Sequence, residues 1–248
     1  MAIVNVTPDS FSDGGDVSNI ENFKFKIQNF IGKGADIIDV GGESTGPGSG
    51  DVSAEGELAR LRPVIDWIAE EKLSETTLFS IDTYKASVAQ YALEHGFGMV
   101  NDVTALRGDP DLLSVLLEFQ PYVVLMYSKD FTARTTSDTV KYDDVIQSIK
   151  GFLSIRIDKL LHAGFPKDRI LIDPGMGMFV SADPAYSYEI VDRLDELKTL
   201  GCPILLGPSR KSFLGGEVGE RDEKSWKVAR KAIANGASVV RMHTLEPF

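Results

Sequence analysis

Polar and charged side chains stand where apolar runs of strand length end along this 248-residue chain. The residues at these ends are Asn5, Asp39, Glu43, Ser44, Thr45, Asp82, Asn101, Asp102, Met126, Asp173, Ser209, Arg210, Lys211, Arg241 and His243. Any one of them would be unremarkable as a strand terminus. As a set they require a ligand, basic neighbours or water, because burying several carboxylates without partners costs several kcal/mol each.

Part of this set has the chemistry to bind a flat heterocycle by its edge. Asp82 and Asp173 would accept hydrogen bonds from ring N–H and exocyclic amine groups, whereas the Asn101 amide can both donate and accept. Lys211 would donate to a ring carbonyl or nitrogen.

The end of the chain has the chemistry to bind an anion. Arg241 and His243 are two residues apart on one predicted strand and therefore point the same way. With Asn5 and nearby backbone amides they suit a group such as a diphosphate. The chain has no P-loop, no GxGxxG after a strand, no nucleophile elbow and no His/Cys metal spacing. Mg²⁺ on a diphosphate is compatible with this set, because that ion keeps most of its waters.

Eight apolar runs predict the strands that position these residues. They are near-continuous, which is typical of parallel strands buried on both faces. Helical periodicity separates the runs, and glycines stand where helix C-caps are needed. The runs span residues 3–6, 37–42, 78–82, 99–103, 122–126, 170–173, 203–207 and 238–243, and the glycines are Gly34, Gly96, Gly164, Gly201 and Gly236. We therefore predict an α/β fold, a (β/α)8 TIM barrel in one domain over residues 1–248, with an open doubly wound sheet as the alternative.

The two ends of the chain carry further expectations. Closure of a barrel would place the first strand beside the last, so that Asn5 lies near Arg241 and His243, and residues 8–15 would form a mobile lid over the site. An eighth helix after His243 is missing from the sequence. Either the chain is shortened there or another subunit covers that face, and a homodimer is the assembly we expect.

Composition limits the remaining possibilities. A formal charge of −11 argues against a nucleic-acid surface. No apolar run approaches the roughly 18 residues that span a bilayer, and no leader opens the chain, so we expect a cytoplasmic protein without membrane partners. The single cysteine, Cys202, excludes an internal disulfide.

Seven motifs resemble the dihydropteroate synthase family, in order over nearly the whole chain. They are NVTPDSFSDGG (5–15), DVGGEST (39–45), SIDTYK (80–85), NDV (101–103), DPGMG (173–177), SRKSFLG (209–215) and GASVVRMH (236–243). The resemblance implies a transferase of folate biosynthesis, which joins 6-hydroxymethyl-7,8-dihydropterin diphosphate to 4-aminobenzoate with Mg²⁺ and is a sulfonamide target. An SN1-like step is expected.

The resemblance also implies roles for individual residues. The pterin would be held by Asp82, Asn101, Asp173 and Lys211, with Val103, Met126 and Gly207 lining its slot. The diphosphate would be held by Asn5, Thr45, Arg241 and His243, with Asn5 also the protein ligand of the Mg²⁺. The aminobenzoate would lie near Thr45, Ser209 and Met178. The catalytic set would be Asp82, Lys211, Arg241 and His243.

Three departures affect the second-substrate side. Gly46 stands where the family has Arg, which removes one expected cation. Residues 177–180 read Gly-Met-Phe-Val, which is expected to remove an aromatic wall and a lysine, and this version is similar to the branch that includes sulfonamide-insensitive forms. The third departure is the missing last helix, which is part of the family's usual dimer contact.

Two alternative functions remain. One is a pterin-binding protein with weak or no turnover. The other is a methyltetrahydrofolate methyltransferase-type barrel, but such an enzyme would have no use for the basic and polar residues Ser209, Arg210, Lys211, Arg241 and His243.

Overall fold

Strands and helices alternate along the chain in a repeated βα order. The structure, a computed structural model, describes residues 1–6, 16–46 and 48–245, and the side chains of residues 16–19 lie outside that description. The elements are β1 (Ala2–Asn5), α1 (Asp16–Gly32), β2 (Ile37–Gly41), α2 (Ala54–Glu70), β3 (Leu78–Asp82), α3 (Ala86–Glu94), β4 (Met99–Asp102), α4 (Leu112–Phe119), β5 (Tyr122–Met126), α5 (Val145–His162), β6 (Ile170–Asp173), α6 (Pro184–Asp192), β7 (Leu205–Leu206), α7 (Arg221–Ala234) and β8 (Val239–Val240).

The strands form a closed parallel ring. Strands β1 to β6 pair in sequence order, and β7 pairs with β8. Single bridges join the two sheets, at Ile172 with Ile204 and at Ala2 with Met242. At the second junction the Ile3 amide donates to the Met242 carbonyl at 2.9 Å. The predicted TIM barrel is therefore confirmed, and closure excludes the open doubly wound sheet.

The inward faces of the strands are apolar at one end and polar at the other. An apolar floor is formed by Met1, Ile37, Met99, Val124, Leu171 and Leu205, which pack together as one cluster. Since side chains alternate along a strand, the residue two positions further on faces the same way. That step leads from Ile37 to Asp39, from Met99 to Asn101 and from Leu171 to Asp173. The polar groups thus lie above the floor, at the carboxyl ends of the strands.

The helices pack their apolar faces against the outside of this ring. In α2 the buried residues Leu61, Val64, Ile65 and Ile68 recur at helical spacing, which explains why that helix covers the sheet. Each of the five predicted cap glycines has a positive φ and follows a helical segment, as a C-terminal αL cap requires.

Three expectations concern the margins of the fold. The predicted lid at residues 8–15 lies outside the described residues. Between β8 and residue 245 the structure describes no helix, and a groove of about 740 Å³ lies beside β8, bordered by the end of α1 and by α7. None of the described helices is both long and apolar enough to cross a membrane.

Candidate active site

A cavity of about 590 Å³ opens at the carboxyl ends of the strands. It brings together every residue that the sequence assigned to the site except Met178. These lining residues are Asn5, Thr45, Asp82, Asn101, Val103, Met126, Asp173, Gly207, Ser209, Lys211, Arg241 and His243. In place of Met178, its neighbour Phe179 lines the wall. These residues come from strands and loops all around the barrel, so closure of the ring brings them together.

The guanidinium group of Arg241 links two acidic side chains. Its Nε donates to Asp39 Oδ2 at 2.6 Å, and its Nη2 donates to Asp82 Oδ2 at 2.5 Å. Burial opposes the charge of Arg241, but Asp39 and Asp82 together raise its pKa above the usual value. Arg241 is therefore a fixed cation at the cavity wall.

Asp39 is a part of this network that sequence reasoning left without a role. Its side chain is fully buried, and Oδ2 also accepts a hydrogen bond from Asn101 Nδ2 at 3.2 Å. Oδ1 has no hydrogen-bond partner among the residues that the structure describes. Asp39 thus supports Arg241 and Asn101 from beneath the cavity. Its position two residues after Ile37 of the apolar floor was the signal that could have identified it.

Two of the carboxyl groups that line the cavity, those of Asp82 and Asp173, have pKa values raised towards neutrality. Burial raises the pKa of Asp82 to about 7, against the opposing effect of Arg241. Burial also raises the pKa of Asp173 to about 6, while the Gly175 amide and Lys211 act in the other direction. Ionising either carboxyl group in the empty site costs free energy because both are buried. A ligand that donates hydrogen bonds to the carboxylates would offset that cost.

The turn after β6 fixes the orientation of Asp173. Gly175 has a φ of +69°, and a Cβ there would lie 2.4 Å from the Tyr127 carbonyl oxygen. The Gly175 amide donates to Asp173 Oδ1 at 2.8 Å. Only glycine fits this close approach, which explains the glycine two residues after the aspartate.

Lys211 lies over an aromatic wall. Burial lowers the pKa of Lys211 to about 8, and the adjacent Asp173 partly offsets that effect. The ammonium nitrogen is 4.7 Å from the centroid of the Phe179 ring, a cation–π arrangement. Phe179 in turn packs with Val103 and Met126. The expectation that residues 177–180 remove an aromatic wall is therefore wrong, because Phe179 supplies one.

Ser209 and His243 are hydrogen-bonded to each other. Ser209 Oγ accepts from the His243 amide at 3.0 Å and lies 2.9 Å from His243 Nδ1. Burial, and then the nearby Arg241 and Arg210, lower the pKa of His243 to about 3. The imidazole is therefore neutral, and in the tautomer in which the Ser209 hydroxyl donates to Nδ1 its proton lies on Nε2. It would meet an anion as a hydrogen-bond donor, without a positive charge.

A cluster of ion pairs behind the cavity was not indicated by the sequence. Lys85 Nζ bonds to Glu57 Oε2 at 2.5 Å and to Glu43, which in turn pairs with Arg134. Burial raises the pKa of Glu57, and Lys85 opposes this shift. Glu43 lines the cavity, so the cluster anchors the loop between β2 and α2 from behind.

The comparisons with known proteins agree with this geometry. A family model described as pterin binding enzyme matches residues 1–243. The chain belongs to the pterin-binding enzymes. This pterin-binding enzyme is 37% identical over 251 residues to the dihydropteroate synthase of Synechocystis sp., a match that covers 99% of the chain and 85% of that relative.

Solved structures similar to this pterin-binding enzyme include two dihydropteroate synthases. The enzyme of Clostridium difficile, determined in the presence of pteroic acid, superposes with a TM-score of 0.87 at 41% identity, covering 98% of this chain and 89% of that one. The enzyme of Xanthomonas albilineans with 4-aminobenzoic acid gives a TM-score of 0.88 at 38% identity, covering 98% and 86% of the two chains.

Proposed function

We propose that this chain is a dihydropteroate synthase of folate biosynthesis. It condenses 6-hydroxymethyl-7,8-dihydropterin diphosphate with 4-aminobenzoate to 7,8-dihydropteroate and diphosphate. The observation that carries the proposal is the convergence of Asp82, Asn101, Asp173, Lys211 and Arg241 on one cavity. The names of the relatives and the ligands of the similar structures support it.

The proposed pterin slot combines edge recognition with apolar walls. The carboxylates of Asp82 and Asp173 accept from the ring N–H and amine groups, and Asn101 completes that edge. Lys211 donates to the ring carbonyl or nitrogen. Val103, Met126, Gly207 and Phe179 enclose the faces of the ring, of which Val103, Met126 and Phe179 belong to one buried cluster.

The proposed diphosphate site lies at the junction of β8 with β1. Arg241 supplies the fixed charge, and His243 supplies a neutral N–H donor at the same wall. Asn5 at the end of β1 and Thr45 after β2 complete it. This distribution places the leaving group beside the Arg241 cation, whereas the pterin lies beside carboxylates.

The donor set fits Mg²⁺ bound chiefly by the substrate. Within the described residues no group of three or more His, Cys, Asp or Glu side chains could hold a metal. Asn5 lines the cavity and would offer its amide oxygen, since Mg²⁺ commonly takes one or two protein oxygens together with phosphate oxygens and waters. Bound there, the ion would neutralise charge on the diphosphate.

The mechanism we propose is SN1-like. The bond between the exocyclic carbon and the diphosphate oxygen breaks first, and the electron pair leaves with the diphosphate. Arg241 stabilises the departing negative charge, whereas Asp82 and Asp173 stabilise the positive charge that spreads into the pterin. The amine of 4-aminobenzoate, near Thr45 and Ser209, then attacks the carbon to form the C–N bond. The resulting ammonium group is acidic enough to release its proton to water, so no strong base is needed.

Product formation from the two substrates tests the function. Purified protein, both substrates and Mg²⁺ should yield 7,8-dihydropteroate and one equivalent of diphosphate. Arg241→Ala should weaken binding of inorganic diphosphate about tenfold or more, because it removes a charge-assisted contact. A folded protein that binds the pterin and yields no dihydropteroate would instead support a pterin-binding protein without turnover.

We propose a cytoplasmic homodimer, as expected from composition and resemblance, with small molecules as its ligands. Several apolar side chains are exposed in the described part of the chain, including Tyr188 on α6 and Ile233 on α7. Light scattering at several protein concentrations would measure the mass, and cell fractionation would test the location.

A further inference from the structure

Described residues of the loop between β2 and α2, among them Thr45, Ser49 and Gly50, form a wall of the cavity. Residues 44–52 contain Gly46, Gly48 and Gly50 and no lysine or arginine. Among the described residues, a Cβ at Gly48 or Gly50 would meet nothing within 4 Å, so no side chain of these two residues fixes the loop. The described internal bonds are local, such as that from Ser49 Oγ to the Gly46 carbonyl at 2.7 Å. Contacts from outside must position this wall.

Arg134, on the loop between β5 and α5, makes those contacts. Its Nε donates to the Ser49 carbonyl at 3.0 Å, and its Nη2 donates to the Gly50 carbonyl at 2.5 Å. The same guanidinium pairs with Asp51 and with Glu43. A planar fork of five N–H groups can serve these four acceptors at once, which a lysine ammonium cannot do.

Thr135, the next residue, ties the same loop to two further parts of the cavity wall. Its amide donates to the Thr45 carbonyl at 3.2 Å, and its hydroxyl donates to the Met178 carbonyl at 2.6 Å. Thr135 is buried at 4% exposure. The turn that carries Phe179 is therefore held from the same segment as Thr45.

We propose that Arg134 and Thr135 are positioning residues for the second substrate, and this inference rests on the proposed function. They hold Thr45 and the Met178 turn around the position where 4-aminobenzoate enters. The pterin edge, in contrast, is bound by groups on the strands β3, β4 and β6, which do not depend on this loop. Loss of the Arg134 contacts should therefore affect the second substrate and spare the pterin.

Steady-state kinetics and pterin titration test whether loss of the Arg134 contacts affects 4-aminobenzoate and spares the pterin. Arg134→Gln should raise KM for 4-aminobenzoate about tenfold, since it removes charge-assisted hydrogen bonds, with a much smaller change in kcat. Binding of 6-hydroxymethylpterin without the second substrate should be unchanged. Thr135→Val, of similar shape, should raise KM for 4-aminobenzoate less than Arg134→Gln does. Arg134→Lys should give a KM between those of the unaltered protein and Arg134→Gln. Arg193→Gln, which removes another ion-paired arginine away from the cavity, is the matched control.

Hydrogen exchange of the peptide covering residues 43–52 tests the contacts without turnover. Exchange there should become faster in Arg134→Gln and remain unchanged in Arg193→Gln, with β3 and β4 unaffected in both. An unchanged KM in a variant with a loosened loop would overturn the positioning role. An unchanged exchange rate would overturn the contacts themselves. If the unaltered protein forms no dihydropteroate, the proposed function fails, while the exchange measurement still decides whether Arg134 holds the wall.

Discussion

At the residue scale, the cavity combines two carboxyl groups and one ammonium group whose pKa values approach each other. The pKa of Asp82 is raised to about 7 and that of Asp173 to about 6, whereas that of Lys211 is lowered to about 8. In each case burial is the main cause. The charged forms of all three coexist only in a narrow range of pH around neutrality.

This overlap predicts a bell-shaped pH dependence of pterin binding. Affinity should rise as Asp173 and Asp82 lose their protons through pH 6 to 7, and it should fall above about 8 as Lys211 loses its charge. The maximum is expected between pH 7 and 8. Titration with 6-hydroxymethylpterin from about pH 5.5 to 9.5 measures the profile, with the ionic strength held constant because salt screens interactions between charges. A flat profile would contradict the role of the three groups.

Removal of the Lys211 ammonium group tests that role directly. Lys211→Met keeps most of the side-chain volume and the contact with Phe179 but removes the donor. Pterin affinity should fall about tenfold or more, as for loss of a hydrogen bond to a charged group, and the fall in affinity above pH 8 should disappear.

The adjacent basic residue provides a control for Lys211→Met. Arg210 is outside the cavity lining, and its guanidinium is paired with Asp222 at 2.7 and 2.8 Å. Arg210→Gln should leave pterin affinity nearly unchanged. Equal losses in the two variants would show that the affinity depends on general positive charge instead of on the Lys211 donor.

At the scale of elements, the helix α2 and the loop after β3 meet through buried charges. Lys85 lies between Glu57 and Glu43, and the three side chains are 8%, 1% and 4% exposed. Within the described part of the chain, Glu57 Oε1 has no hydrogen-bond partner. The cluster depends on the lysine, because without it two carboxylates would remain buried together.

Lys85→Met should therefore destabilise the protein by about 3–5 kcal/mol, the usual cost of breaking a buried ion pair from one side. Urea unfolding followed by circular dichroism measures this loss. Lys227→Met is the control, since Lys227 pairs with Glu223 on the surface of α7 at 69% exposure and should lose at most about 1 kcal/mol. A similar small loss in both variants would show that the cluster adds nothing to stability.

The elements themselves follow from local patterns in the sequence, whereas these ion pairs do not. Apolar runs, helical spacing and cap glycines involve neighbours along the chain, so they predicted the order of strands and helices. The position of Asp82, Asn101 and Asp173 at the ends of apolar runs also predicted that they belong to one site. The pairing of Arg134 with Glu43 joins residues 91 positions apart, and no local pattern encodes such a contact. The sequence analysis selected Met178 instead of Phe179, because no local pattern predicts the turn that brings the aromatic ring to the cavity wall.

At the scale of the whole molecule, the ring is joined unevenly. The pairs from β2 to β6 are continuous ladders, whereas β8 meets β1 through a single bridge supported by a few backbone hydrogen bonds. Local stability follows the density of such contacts. The junction of β8 with β1 is therefore expected to open more easily than the ladder in the empty protein.

Hydrogen exchange of the empty protein should reveal this difference. The amides of Ile3 and Met242, which form the bonds of the junction at 2.9 Å, should exchange about tenfold faster or more than those of the ladder β3 to β5. Equal protection at the junction and in the ladder would contradict the uneven ring.

The proposed diphosphate site lies across that junction. Ligand binding therefore tests both the location of the site and the weakness of the junction. Asn5 ends β1, while Arg241 and His243 follow β8, so an anion bound to all three would hold the two strands together. Inorganic diphosphate with Mg²⁺ at about 100 times its dissociation constant stabilises the bound state by about 2.7 kcal/mol, and exchange of Ile3 and Met242 should slow accordingly. A pterin alone, bound by groups on β3, β4 and β6, should protect these two amides much less. If both ligands protect the junction equally, the separation of the two sites along the ring is wrong.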